Sequence, residues 1–173
     1  MRRQHGFSLF EVVVVTVVIG VLVAIGLEYY TEAMKDSRRV AVETQARNFT
    51  AALSSAHAQW YIQSTKGEKI SSVEVENRQV FINKFGWPSG GTLTSRTEGA
   101  SAGNCESLWQ LLLQNPPPVT TSEKGQLGQR RYHISAADGK TCRYELFTDP
   151  RATHFFDYSL VSGQVRVEVP PLN

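Results

Sequence analysis

The chain has 173 residues, with 18 Lys and Arg against 16 Asp and Glu. A balance this close excludes the general electrostatic argument for a nucleic-acid partner. The length suits one modest domain plus an appended segment, and the apolar residues crowd into the first thirty positions.

Residues 7–27 read FSLFEVVVVTVVIGVLVAIGL, 21 residues with a single charge at Glu11. As a helix at 1.5 Å per residue this segment would reach roughly 31 Å, the thickness of a bilayer's hydrocarbon core. The β-branched run Val12–Val15 favours extended chain in water, but in lipid the backbone must satisfy its own hydrogen bonds and helix wins. Arg2 and Arg3 supply the basic start of a secretory signal. The apolar stretch, however, exceeds the usual signal core and no small-x-small cleavage site follows it, so the anchor is expected to stay. Lys35, Arg38 and Arg39 follow the segment as Arg2 and Arg3 precede it, leaving both topologies open on charge alone. A carboxylate in such a helix costs about 2.5–3.5 kcal/mol near the bilayer centre and less at the interface. Glu11 is therefore either a tolerated interfacial passenger or a residue with a cationic partner.

Gly6-Phe7-Ser8-Leu9-Phe10-Glu11, behind a basic leader and ahead of an apolar run, resembles the type IV prepilin processing motif. The resemblance implies that a membrane-embedded peptidase cuts after Gly6 and that the new N-terminal residue, Phe7, is N-methylated. Glu11 stands where the family carries its assembly glutamate, and Gly20 where it often has glycine. Glu28 stands where many major pilins have a helix-kinking proline. Cleavage would create a cationic amine at Phe7. Glu11 of a neighbour or of the same subunit could neutralise it, and in low dielectric the paired state is strongly favoured over two lone charges.

Past the membrane segment, Val42, Ala46, Phe49, Leu53, Ala56 and Trp60 recur at spacings of 4, 3, 4, 3 and 4. This is one apolar stripe of a helix continuing to about residue 64, roughly 85 Å from residue 8 at the standard rise. Val73 and Val75, then Val80 to Ile82, are short extended candidates. Phe85 to Gly91 is expected to be a turn-rich loop, and residues 89–103, rich in Ser, Thr, Gly and Ala, an exposed one. Asn104 is expected to cap a short helix, Cys105–Gln114, stopped by Pro116-Pro117-Pro118.

Alternation in Tyr132 and Ile134, then in Cys142, Tyr144 and Leu146, with Asp138-Gly139 between, predicts one hairpin. Phe156, Tyr158 and Leu160, turned by Ser162-Gly163 into Val165, Val167 and Val169, predict a second. Two hairpins give a four-stranded antiparallel sheet, and a long helix on it makes an α+β roll, also the head fold that the resemblance implies. The expected organisation is a leader at 1–6, an assembly and membrane helix at 7–30, and a periplasmic head at 31–173.

Cys105 and Cys142 are the only cysteines. Without metal-type spacing they fit one disulfide in an oxidising compartment or two unrelated buried thiols. Joined, they would close a loop with 36 residues between them, worth roughly 3–4 kcal/mol in the chain-entropy account. The Phe85-Gly86-Trp87-Pro88 loop and the run from Cys105 through Leu108-Trp109 into Pro116 are also similar to proteins of the mannose-sensitive haemagglutinin (MSHA) type pilus.

Other constellations carry less. Gly139-Lys140-Thr141 lacks the upstream glycine of a phosphate loop, Ile134 standing there instead. His5, His57, His133 and His154 show no metal spacing. No cofactor, metal or catalytic set is expected. The reading is therefore a filament subunit, a minor pilin for adhesion or motility. Its expected partners are other pilin subunits, a prepilin peptidase, the inner membrane and the assembly machinery. The alternatives are a minor pseudopilin of a type II secretion system and a membrane-anchored binding domain without a filament.

Overall fold

The computed structural model of the chain describes residues 8–67, 69–96, 99–122, 131–147 and 154–169. Two compact units emerge, residues 1–38 and 39–173. Helix α1, Leu9–Ser64, runs through the boundary between them.

In the first unit, every described residue from Ser8 to Ser37 is exposed. The Val-rich run is apolar on all sides, so no face is singled out for burial within the chain. In the second unit α1 changes character. Val42, Ala46, Phe49, Leu53 and Ala56 are buried, the same stripe that the 4-3-4-3 spacing marks. Trp60 at its end is half-buried and packed against that core. Beside this stripe runs a charge ladder, with Arg39 Nε 2.9 Å and Arg47 Nη2 3.5 Å from the half-buried Glu43 carboxylate. The hydrogen bond from Arg39 holds the Glu43 carboxyl below its usual range.

The head contains two sheets. The smaller is antiparallel, in the order β1 (Ser72–Val75), β2 (Arg78–Ile82), β3 (Pro88–Gly90). Glu76 and Asn77, both at positive φ, form the two-residue turn between β1 and β2, the backbone twist that tight hairpins select. The larger sheet has five strands in sequence order: β4 (Val119–Thr120), β5 (Tyr132–Ala137), β6 (Thr141–Leu146), β7 (His154–Ser159) and β8 (Val165–Glu168). Helix α2, Ala102–Leu112, lies between the two sets in sequence.

The α+β class and the two antiparallel hairpins β5–β6 and β7–β8 match the alternation in the sequence. The expectation of a four-stranded antiparallel sheet needs correction. A fifth strand, β4, pairs parallel with β5 through Val119↔Tyr132 and Thr120↔His133, and the β1–β3 sheet is separate. A two-residue strand paired in parallel has neither a period nor a turn to announce it.

The loop expected across 85–91 contains β3, where Pro88, Ser89 and Gly90 are all buried. Ser95 is buried as well, so residues 89–103 are not an exposed stretch throughout. Ser89 Oγ donates to the Phe81 carbonyl at 3.1 Å and Ser95 Oγ to that of Thr92, which makes their burial affordable. The helix cap is Ser101 rather than Asn104. Its hydroxyl accepts from the Asn104 amide at 3.2 Å, and α2 ends at Leu112.

The core is aromatic. Phe49 of α1 meets Tyr144 of β6 and Phe156 and Tyr158 of β7, with ring centroids 5.1, 5.7 and 5.6 Å away. Trp109 of α2 stacks on Tyr144 from its other neighbourhood, centroids 5.2 Å apart. Polar tips of the buried rings are satisfied, as burial demands. Tyr144 donates to the Cys105 carbonyl at 3.0 Å, Tyr158 to that of Pro88 at 2.8 Å, and Trp109 to that of Pro117 at 3.0 Å.

Candidate functional site

The N-terminal segment is built from Ser8 onward as a helix whose polar atoms turn inward. Ser8 and Glu11 form a reciprocal cap. The Ser8 amide donates to Glu11 Oε2 at 3.2 Å, and the Glu11 amide donates to Ser8 Oγ at 3.2 Å. The spacing S-x-x-E is that of a capping box, in which two otherwise orphaned helix amides are satisfied at once. The pattern was present in Ser8-Leu9-Phe10-Glu11 and is a second, local role for Glu11 beside any charge it neutralises. Further along, Thr16 Oγ1 donates to the Val12 carbonyl and Thr31 Oγ1 to that of Glu28, both at 2.8 Å. Hydroxyls that close on their own helix cost little in hydrocarbon. Gly6 and Phe7, at the expected cleavage and N-methylation positions, lie outside the described residues.

By length and composition α1 can cross a membrane. Its first turns leave Leu9 85% and Phe10 76% exposed, with Val12 to Leu27 uncovered behind them. So much apolar surface on one helix requires an apolar solvent or other copies of such a helix.

In the head, Cys105 of α2 and Cys142 of β6 are bonded to each other, with Cα atoms 5.5 Å apart, and both are fully buried. The bond ties α2 to the centre of the large sheet, beneath the Tyr144 hydroxyl. On the outer face of that sheet the directly paired Arg143 and Asp157 make a two-pronged ion pair, Nε to Oδ1 at 2.8 Å and Nη2 to Oδ2 at 2.7 Å. The guanidinium lies 3.9 Å from the centroid of the Phe155 ring. The hydrogen bond to Asp157 raises the Arg143 pKa.

Two features of the head had no signal in periodicity. His57 lies between two indoles, ring centroids 3.9 Å from Trp87 and 5.4 Å from Trp60, with Nδ1 2.7 Å from the Gly86 carbonyl. Gly86 and Gly163 are required there. A Cβ on either would lie 2.4 Å from Trp60 or 2.2 Å from Trp87, and both residues have positive φ. Asn83 organises the turn before Trp87: its Oδ1 accepts from the Phe85 and Trp87 amides and its Nδ2 donates to the Leu160 carbonyl at 2.7 Å. An Asn ahead of Phe-Gly-Trp-Pro is the signal that could have found it.

Gly139-Lys140-Thr141 is the end of the β5–β6 turn and the first residue of β6. Glu74 is exposed on β1, and Glu76 sits in the turn with Gln114 and Arg78 on its carboxylate. Among the described residues no three His, Cys, Asp or Glu side chains gather as a metal site would need.

A capped, unburied apolar helix, long enough to cross a membrane, is thus joined in sequence to a stapled α+β head. Residues 1–27 match the family described as the prokaryotic N-terminal methylation motif, the type IV prepilin signal. That signal, confined to the first 27 residues, supports a type IV pilin-like protein, and pilin-like proteins are structural subunits rather than enzymes. The motif implies processing by a prepilin peptidase and assembly with other pilins. No match to a curated protein or to a solved structure was found.

Proposed function

We propose that this protein is a minor subunit of a type IV pilus, of the mannose-sensitive haemagglutinin type, that enters or primes a surface filament serving adhesion or motility. A prepilin peptidase cuts between Gly6 and Phe7, and Phe7 is N-methylated. The mature chain waits in the inner membrane with its head in the periplasm until the assembly machinery draws it into the filament. The observation that carries the reading is Glu11, a lone carboxylate at the first turn of an apolar, uncovered stretch of helix, within the segment that matches the prepilin signal.

The capping geometry sharpens its role. A Glu11 oxygen already rests 3.2 Å from the Ser8 amide, one residue from the amine that cleavage would create. The same carboxylate can hold the helix start and present negative charge to a cationic N-terminus, its own or a neighbour's, with the helix dipole favouring the anion there. A disulfide-closed head suits life outside the reducing cytoplasm.

The test is the intact mass of the protein extracted from membranes, together with immunodetection in sheared fibres. A species beginning at Phe7 with one added methyl, present in the fibre fraction, is the expected result. A full-length Met1 species as the only form refutes processing. A processed species never found in fibres, whose deletion stops protein secretion, makes it a type II secretion pseudopilin instead.

A further inference from the structure

Away from the helix and the disulfide, the head holds a cleft of about 590 Å³, within the size range of small-molecule sites. Three cations line it from three separate segments: Lys84 just after β2, Arg96 at the end of the 3₁₀ turn Thr94–Arg96, and Lys140 in the β5–β6 turn. The ion pairs among the described residues are Arg39–Glu43, Arg47–Glu43, Arg78–Glu76 and Arg143–Asp157. None of the three cleft cations takes part in one. Arg96 is anchored by Nε on the Ile82 carbonyl at 3.3 Å, which leaves its outer nitrogens for something else. Like charges gathered in one cleft, with no ion-pair partner among the described residues, repel one another, and an anion between them relieves that repulsion.

Phe85, Leu160 and Val161 give the cleft an apolar wall beside Asn83. Phe85 and Val161 stand 45% and 40% exposed, beside the buried Leu160. Lys84 Nζ sits 5.0 Å from the Phe85 ring centroid. A bare inorganic anion would leave this wall wet, whereas an anion on an apolar body would cover it.

The frame is held by bonds that cross long stretches of sequence. Asn83 Nδ2 donates to the Leu160 carbonyl, the Leu160 amide to the Lys140 carbonyl at 2.9 Å, and the Ala100 amide to the Gly139 carbonyl at 2.7 Å. Gly99 packs so closely that a Cβ there would fall 2.1 Å from the Gly139 carbonyl oxygen. Walls fixed before a ligand arrives reduce the ordering cost of binding.

We propose that this cleft is a binding site for a small organic anion, carboxylate groups on an apolar ring, held by Lys84, Arg96 and Lys140 with Phe85 against its body. The site stands independently of the filament role, because no residue of the N-terminal segment lines it.

Isophthalate is a suitable probe, being soluble, planar and doubly charged. Its binding to the full-length protein in lipid nanodiscs is followed by saturation-transfer NMR and titration calorimetry. One saturable site is expected. Isophthalamide, the neutral isostere, and glutarate, which lacks the ring, should each bind at least tenfold more weakly. Lys84→Gln/Lys140→Gln should lose at least tenfold, while Lys84→Arg/Lys140→Arg, which keeps both charges, should bind as the parent does. Both lysines are exposed, so melting of the head should be unchanged in either variant. Absence of saturable binding, equal binding of the diamide, or full affinity in the Gln variant would overturn the proposal.

Discussion

Helix α1 is one element with two chemistries. Between Val12 and Leu27 its side chains are apolar around the whole circumference, Thr16 apart, and none from Leu9 to Arg38 is buried. From Arg39 to Ser64 one apolar stripe is buried, polar residues take up much of the other faces, and Val42, Phe49 and Ala56 become inaccessible. Helical periodicity reports an interface inside the same chain; its loss at high apolar content reports a solvent that is itself apolar. The head has a core of its own and a covalent staple. The N-terminal unit has neither, so its stable state depends on lipid or on other copies.

If that division is real, damage to the head should leave membrane anchoring alone, and the reverse. The largest expected effect is Phe49→Ala. Its ring touches three aromatic rings of β6 and β7, and truncating a buried Phe costs about 3–5 kcal/mol. Denaturant unfolding of the head should show that loss while the membrane-bound amount stays constant. Depletion from the membrane with a head of parent stability would break the comparison.

Removing the staple by Cys105→Ser/Cys142→Ser should cost the head about 3–4 kcal/mol. Both sites are fully buried, so the unpaired hydroxyls add to the loss. The same chain under reduction, which leaves thiols rather than hydroxyls, should lose the staple's share alone, and an unchanged midpoint in both would count against the staple as a stabiliser.

The smallest effect is nil at neutral pH and appears only in alkali. Burial pushes the Tyr132 hydroxyl up to about 12 despite the nearby Arg131, and raises those of Tyr144 and Tyr158 further. The folded head keeps these phenols neutral at a pH where the unfolded chain ionises them. Their contribution to stability is therefore full below the ordinary tyrosine value of 10.0 and is lost as pH rises through the folded values. Circular dichroism of the head should stay flat to pH 10, then fall together with the ultraviolet signature of buried phenolate formation. Phenolate formation by these three without unfolding would contradict their burial.

How much of this was readable in advance follows from range. The α1 stripe and the β5–β6 and β7–β8 hairpins depend on neighbours two to four residues apart, and Val42 to Trp60 and Tyr132 to Val169 displayed those periods. The pairing of Val119-Thr120 with β5 depends on non-local contacts, so composition could not reveal it. Ser89, Gly90 and Ser95 look like loop residues. They are buried because small side chains pack where larger ones would clash: a Cβ on Gly90 would lie 2.7 Å from Ser95. Asn104 was read as the cap, whereas Ser101 is the one whose oxygen reaches an orphaned amide. At the N-terminus the charge of Glu11 was conspicuous, while its partnership with Ser8 was equally legible and easily overlooked. The three cleft cations come from segments dozens of residues apart and were invisible as a set.

That partnership allows the sharpest test of Glu11. Glu11→Val removes both the charge and the cap; Glu11→Gln removes the charge but keeps a side chain able to accept from the Ser8 amide. Membrane and sheared-fibre fractions of parent and both variants are compared with one antibody to the head. If charge pairing with the processed N-terminus governs assembly, all three reach the membrane equally and both variants drop at least tenfold in fibres. Parent-level incorporation of Glu11→Gln would show that the carboxylate serves only to cap the helix, and would contradict the account.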